Sequence, residues 1–121
     1  MADPAERLDD VLAVRHRPYV LPPAYVLSVI GSVEPWNAKA LAAQFGQASA
    51  GRTVLVVDLH ELVFGGWDLI GVLLDARSRH PAVVLVGPLP PLLCARFAVT
   101  GAGALFPVAP TLAEALVASV P

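Results

Sequence analysis

The run Thr53-Val54-Leu55-Val56-Val57-Asp58 opens the stretch that decides the fold, and Phe64-Gly65-Gly66-Trp67-Asp68 followed by Leu69 to Arg79 completes it. Its first part is short, apolar and β-branched, the pattern of a strand buried on both faces. Beyond the turn, Leu69, Ile70, Val72, Leu73, Leu74 and Ala76 follow helical rather than alternating spacing. Asp75 stands four residues before Arg79, where opposite charges attract across one turn. The spacing therefore predicts a helix over 69–79. The two glycines free the backbone for a tight turn, and Asp68 stands where an N-cap carboxylate would accept the first free amides of that helix. Many α/β folds build a site where a strand delivers a polar residue to a helix N-terminus, so function is sought here first.

Upstream, Ala24 to Ile30 reads as a strand ended by Gly31, and Val11 to Arg17 as an edge strand, since charged residues fall within it. The prolines at Pro18, Pro22 and Pro23 turn the chain between them. Pro35 to Gly46 reads as a helix with Ala38, Leu41, Ala42 and Phe45 on one face. Residues 1–9 are expected to form a flexible terminus or one helical turn begun by Pro4, leaving 10–121 as the folded domain. Downstream, His80-Pro81 stops the second helix, and Ala82 to Val86 is a further buried strand. Leu92 to Val99 is a helix with Gly101 as its stop, and Leu105 to Val108 a last strand. Thr111 caps a final helix over 112–120, with Glu114 in its first turn. Strands alternating with helices predict an α/β class fold: one domain, a mixed, mostly parallel sheet of four to five strands, and about four helices.

The bulk properties remove several classes of function. A chain of 121 residues is one domain. Hydrophobic residues make up 56% and mean hydropathy is +0.67, which raises the question of a membrane span. Pro88, Pro90 and Pro91 break the most apolar region, so no membrane association is expected. Acids rather than bases near Met1 argue against a secretory signal and for the cytoplasm. A net charge of −2, with the basic residues spread along the chain, offers no field for nucleic acid. The single Cys94 forms no internal disulfide and, amid Leu92, Leu93, Ala95 and Phe97, reads as a buried inert thiol.

Catalysis needs a nucleophile with a base, paired carboxylates or a metal cluster. Asp58 and His60 point the same way in strand alternation, beside Glu61. They could touch or share a metal, or else be satisfied by solvent and backbone at a strand end. His16 and His80 have no partner at ligand spacing and read as surface residues. Gly65-Gly66 could cradle an anion, but Asp68 would repel it, and neither a Walker A nor a dinucleotide fingerprint is present. No cofactor is implied. Trp67, between glycine and an acid, either folds onto the core or stands out as a rigid anchor for a partner, and Trp36 poses the same alternative.

Several segments in shared order resemble the STAS domain, the fold of bacterial anti-sigma factor antagonists. Val29-Ile30-Gly31-Ser32-Val33-Glu34 resembles that family's strand ending in Gly-Glu-Leu-Asp. Val56-Val57-Asp58-Leu59 with Val63-Phe64 is similar to its central strand and turn. Gly71-Val72-Leu73-Leu74 is similar to its second helix, and Val84-Leu85-Val86-Gly87 to its next strand. Thr100-Gly101, Leu105-Phe106 and Thr111 to Leu116 are similar to its C-terminal part. Regulated members carry Asp-Ser-Ser/Thr-Gly before the second helix, and a partner anti-sigma factor phosphorylates the second hydroxyl. Counting back from Gly71, those positions here hold Gly66, Trp67, Asp68 and Leu69, so the acceptor position is occupied by Asp68.

The resemblance implies a non-enzymatic binding protein whose partner is an anti-sigma factor or a related protein of serine-kinase fold. Its docking face would comprise Ser32, Glu34 and Trp36 in the loop 32–37, and Phe64, Gly66, Trp67, Asp68 and Leu69 in the turn 64–69. Two consequences of Asp68 stay open. One negative charge against about 1.5 to 2 for phosphoserine could mimic the modified state, or be too poor a copy and leave binding constitutive. A homodimer is compatible with either. The alternative function is a scaffold or self-associating subunit of a larger signalling assembly, using the apolar surplus as its contact face.

Overall fold

The computed structural model describes residues 4–118, in which seven strands form one mixed sheet with four helices packed against it. The chain begins with β1 (Glu6–Arg7), β2 (Leu12–Tyr19), β3 (Ala24–Ser32), α1 (Ala38–Ala48) and β4 (Val54–Asp58). It continues with β5 (Leu62–Phe64), α2 (Trp67–Arg77), β6 (Val83–Val86), α3 (Pro91–Thr100), β7 (Val108–Ala109) and α4 (Leu112–Ala118). β4 is central, paired parallel with β3 on one side and β6 on the other, and β6 pairs parallel with β7. β2 lies antiparallel to β3 and carries β1 at its start. β5 pairs parallel with the end of β3, in the lane that β4 has just vacated.

The unbroken apolar run of β4 is explained by cover on both faces. Leu55 and Val57 pack with Leu41 and Phe45 of α1, Leu69 and Leu73 of α2, and Leu93 and Phe97 of α3. Val56 faces the other way, with Val26, Val84 and Val86, against Ala115 of α4. Each such side chain removed from water stabilises by roughly 1.5–3 kcal/mol. α2 shows the predicted Asp75–Arg79 pair, N to O 3.0 Å. Gly101 ends α3 at φ 73°, and Thr111 Oγ1 accepts the Glu114 amide at 3.1 Å, both as the sequence predicts.

Other expectations are corrected. The sheet has seven strands rather than four or five, because the two-residue β1 pairs with β2 and the three-residue β5 pairs with β3 and buries Leu62 in the core, and neither is long enough to show a strand pattern. β1 stands where a flexible terminus or one helical turn from Pro4 was expected; residues 1–3 and 119–121 lie outside the described residues. β3 continues through Gly31 to Ser32, and α1 starts at Ala38, three residues after Pro35. α2 runs over Trp67–Arg77 instead of 69–79. The segment Ala102–Leu105 is a 3-10 turn, so the last strand is only Val108–Ala109.

His80 is buried rather than at the surface, with Nδ1 donating to the Thr53 carbonyl at 2.7 Å and Nε2 3.0 Å from Ser49 Oγ. His16 bridges Tyr25 Oη and Gln44 Oε1, each at 2.6 Å. Cys94 is exposed, because the buried stripe of α3 runs through Leu93 and Phe97, and Cys94 falls one step around the helix.

Gly31 is the tightest point of the sheet. Its φ is 100°, and a Cβ there would run into the carbonyl oxygen of Val11. Its amide donates to Glu61 O at 3.1 Å, while Ser32 N–H donates to Val11 O at 2.8 Å. Positive φ and backbone overlap together predict that Gly31→Ala lowers stability by roughly 1–3 kcal/mol or more, read as a lower urea midpoint at unchanged slope. An unchanged midpoint would refute the assignment.

Candidate functional site

The loop after β3 and the turn before α2 meet at the C-terminal edge of the parallel strands. Val33 N–H donates to the Phe64 carbonyl at 2.8 Å and fixes the two segments side by side. Gly65 permits the turn to close on the helix, since a Cβ there would lie 2.6 Å from Leu69 Cδ2. Val33, Glu34, Pro35, Phe64, Gly66, Trp67, Asp68, Leu92 and Arg96 then line one open groove. Of the residues named from sequence, Glu34, Phe64, Gly66, Trp67 and Asp68 are brought together there. Ser32 and Trp36 stand to one side, and Leu69 is fully buried in the core. Leu69 therefore offers no side chain to a partner, and its place on the docking face is withdrawn.

Asp68 is exposed in the first turn of α2, but it is not the N-cap. The helix starts two residues earlier than a cap at 68 allows; Gly66 holds that place, with no side-chain hydrogen bond. Asp68 thus acts on the helix through its charge near the amide end, a favourable placement for a carboxylate. Trp67 is half exposed and its ring is faced by the Arg96 guanidinium, 4.7 Å from the centroid. Arg96 was not among the residues singled out from sequence, although it is the sole charge of α3. Its Nε is buried with no hydrogen-bond partner among the described residues.

Trp36 is 71% exposed, yet its ring is not loose, because Nε1–H donates to Asp9 Oδ2 at 3.1 Å. The same oxygen accepts Asn37 Nδ2 at 3.0 Å, while Asp9 Oδ1 accepts the amides of Val11 at 2.9 Å and Leu12 at 2.8 Å. Asn37 is buried, and its side chain also reaches Ser32 O at 3.1 Å and the Glu34 amide at 2.8 Å. These bonds, the Val11 amide first and Asn37 next, hold the Asp9 carboxyl below its ordinary 3.8.

Asp58 and His60 do touch, Nδ1 to Oδ1 2.7 Å, and the His60 amide donates to the same carboxylate oxygen at 3.1 Å. His60 Nε2 lies 3.4 Å from Glu61 Oε1, so the ring sits between two carboxylates rather than facing a substrate groove. No group of three or more His, Cys, Asp or Glu side chains among the described residues could hold a metal ion. No helix among them is long and apolar enough to cross a membrane.

These features define a class first: a mixed-sheet α/β domain whose two adjacent loops at the strand ends carry both exposed tryptophans, with Phe64 and Asp68 beside Trp67. Comparison then places the fold. An anti-sigma factor antagonist from Mycobacterium paratuberculosis superposes with a TM-score of 0.73 and 26% identity, over 94% of this chain and 97% of that one. An anti-sigma-factor antagonist (STAS) domain protein from Planctomyces limnophilus gives 0.72 at 19% identity, covering 88% and 97%. The anti-sigma factor antagonist SpoIIAA in its unphosphorylated form gives 0.71 at 19%, covering 90% and 99%. The chain has the fold of the STAS domain of anti-sigma factor antagonists. No protein-family model matches the sequence, and no curated protein does either.

The His60 clasp makes a pH prediction. The Asp58 hydrogen bond, helped by the charges of Asp58 and Glu61 against burial and Arg15, raises the imidazole above its ordinary 6.5. A raised folded value means the clasp contributes fully below 6.5 and is lost as pH rises through the folded value. NMR titration of the His60 ring should give a midpoint above 6.5 that falls in Asp58→Asn; equal midpoints in the two proteins would remove the clasp.

Proposed function

We propose that this chain is a non-catalytic regulatory domain that binds an anti-sigma factor of kinase-type fold independently of serine phosphorylation. The observation that carries this reading is Asp68, exposed in the first turn of α2 at the position where the regulated members of the resembling family keep the acceptor hydroxyl. The likeness to an anti-sigma factor antagonist over 94% of the chain supports a regulatory role of STAS type. The groove supports docking: Trp67 and Phe64 supply rigid aromatic area, and Glu34, Asp68 and Arg96 supply charge around it. A carboxylate accepts no phosphoryl group from a serine kinase, so binding would need no release step. The domain would act in the cytoplasm, away from nucleic acid and membrane.

Calorimetry against kinase-fold anti-sigma factors of the source organism tests this. Wild type should bind, and Trp67→Ala combined with Asp68→Lys should weaken binding by at least about tenfold, the effect of losing one well-buried anchor. Incubation with the same partner and ATP should leave the wild type unmodified by mass spectrometry. Undiminished binding by the double variant removes this face from consideration.

The self-associating alternative is favoured by Val20 and Leu21, 89% and 91% exposed at the tip of the β2–β3 hairpin, away from the groove. Sedimentation of a stable homo-oligomer that Leu21→Glu disperses would support that reading instead.

A further inference from the structure

Trp36 is exposed, yet its indole N–H is already bonded within its own chain. Here the acceptor comes from an earlier part of the chain, Asp9 lying 27 residues before Trp36, between β1 and β2. A carboxylate has about four acceptor positions. All four donors of Asp9 are in place: the Val11 and Leu12 amides on one oxygen, Trp36 Nε1 and Asn37 Nδ2 on the other. The depressed Asp9 carboxyl agrees with that saturation. Through Asn37 the same clamp reaches Ser32 O and the Glu34 amide, so the whole loop after β3 is tied to the chain preceding β2.

We propose that Asp9 is a positioning residue for the docking face: it preforms Trp36 as a fixed anchor and leaves that anchor only apolar contacts to make. The proposal rests on the docking reading above and adds what the partner must offer at this point. A partner that meets Trp36 finds its one donor taken, so the complementary surface is an apolar slot, lined by aliphatic or aromatic side chains and free of a hydrogen-bond acceptor for the indole. Holding the ring in advance also removes the ordering cost that a mobile side chain contributes on binding. Asparagine cannot replace Asp9. Whichever way its amide is turned, the NH2 group faces a pair of donors.

Two readouts decide this. In the free full-length protein, the Trp36 indole N–H resonance, identified by its loss in Trp36→Phe, should exchange slowly with water. Asp9→Asn and Asp9→Ala should each speed that exchange by about tenfold or more and leave the Trp67 indole unmoved. Thermal unfolding of the same variants checks that they are folded. A Trp36 resonance unchanged in folded Asp9→Asn overturns the clamp. In calorimetry with the kinase-fold anti-sigma factor, Asp9→Asn should weaken binding about tenfold, and Trp36→Phe, which keeps an apolar ring but loses the same bond to Asp9, by no more than that, whereas Trp36→Ala, which loses the ring as well, should weaken it by about a further tenfold. Equal damage from Trp36→Phe and Trp36→Ala would mean that the apolar ring itself contributes nothing to the complex, which overturns the apolar slot. Failure of wild type to bind any such factor overturns the docking reading and the slot with it, while the indole readout still decides the clamp.

Discussion

A central strand with no polar face is the constraint from which the rest follows. Residues 55–57 of β4 are apolar without interruption, so water must be excluded from both sides of the sheet at once. That demand sets three helices against one face and α4 against the other. It also makes the crossovers parallel, because a strand buried on both faces is reached by helices that return across the sheet. The consequence is spatial: the loops leaving β3 and β5 emerge at the same edge. The bond from Val33 N–H to Phe64 O then merges them into one surface.

That surface is built from groups the core cannot use. Gly65 lets the chain pass over Leu69, and Gly31 lets β3 approach the Val11 carbonyl. Trp67 is steadied by Arg96 from α3, and Trp36 by Asp9 from the segment before β2, so each aromatic is held by an element distant in sequence. Asp58 and His60, the pair nearest to a catalytic dyad, instead close on one another and on Glu61 at the end of β4.

The central elements were legible because their signals are local. The apolar run of β4, the helical spacing after the turn, Gly101 and Thr111 each state their role within a few residues. The STAS resemblance was legible through the order of such segments rather than any one motif. β1 and β5 were not, since two or three residues carry no period and become strands only where a neighbour pairs with them. The start of α2 was misplaced by two residues because Gly66, which makes no side-chain cap, gives no signal that competes with an aspartate. His80 and His16 looked unpartnered because Thr53, Ser49, Tyr25 and Gln44 converge on them only after folding. Asp9 was missed for the same reason, and Arg96 could have been noticed as the lone charge on an apolar helix.

The carboxylate in the first turn of α2 has a further consequence for control. A hydroxyl at that place can be charged and discharged, so its history is stored on the protein and erased by another enzyme. On the reading proposed above, Asp68 keeps no such record: a carboxylate is written there by the gene, near the amide end of α2. In the docking reading, a domain of this kind transmits through dosage, and its output rises and falls with synthesis and degradation alone.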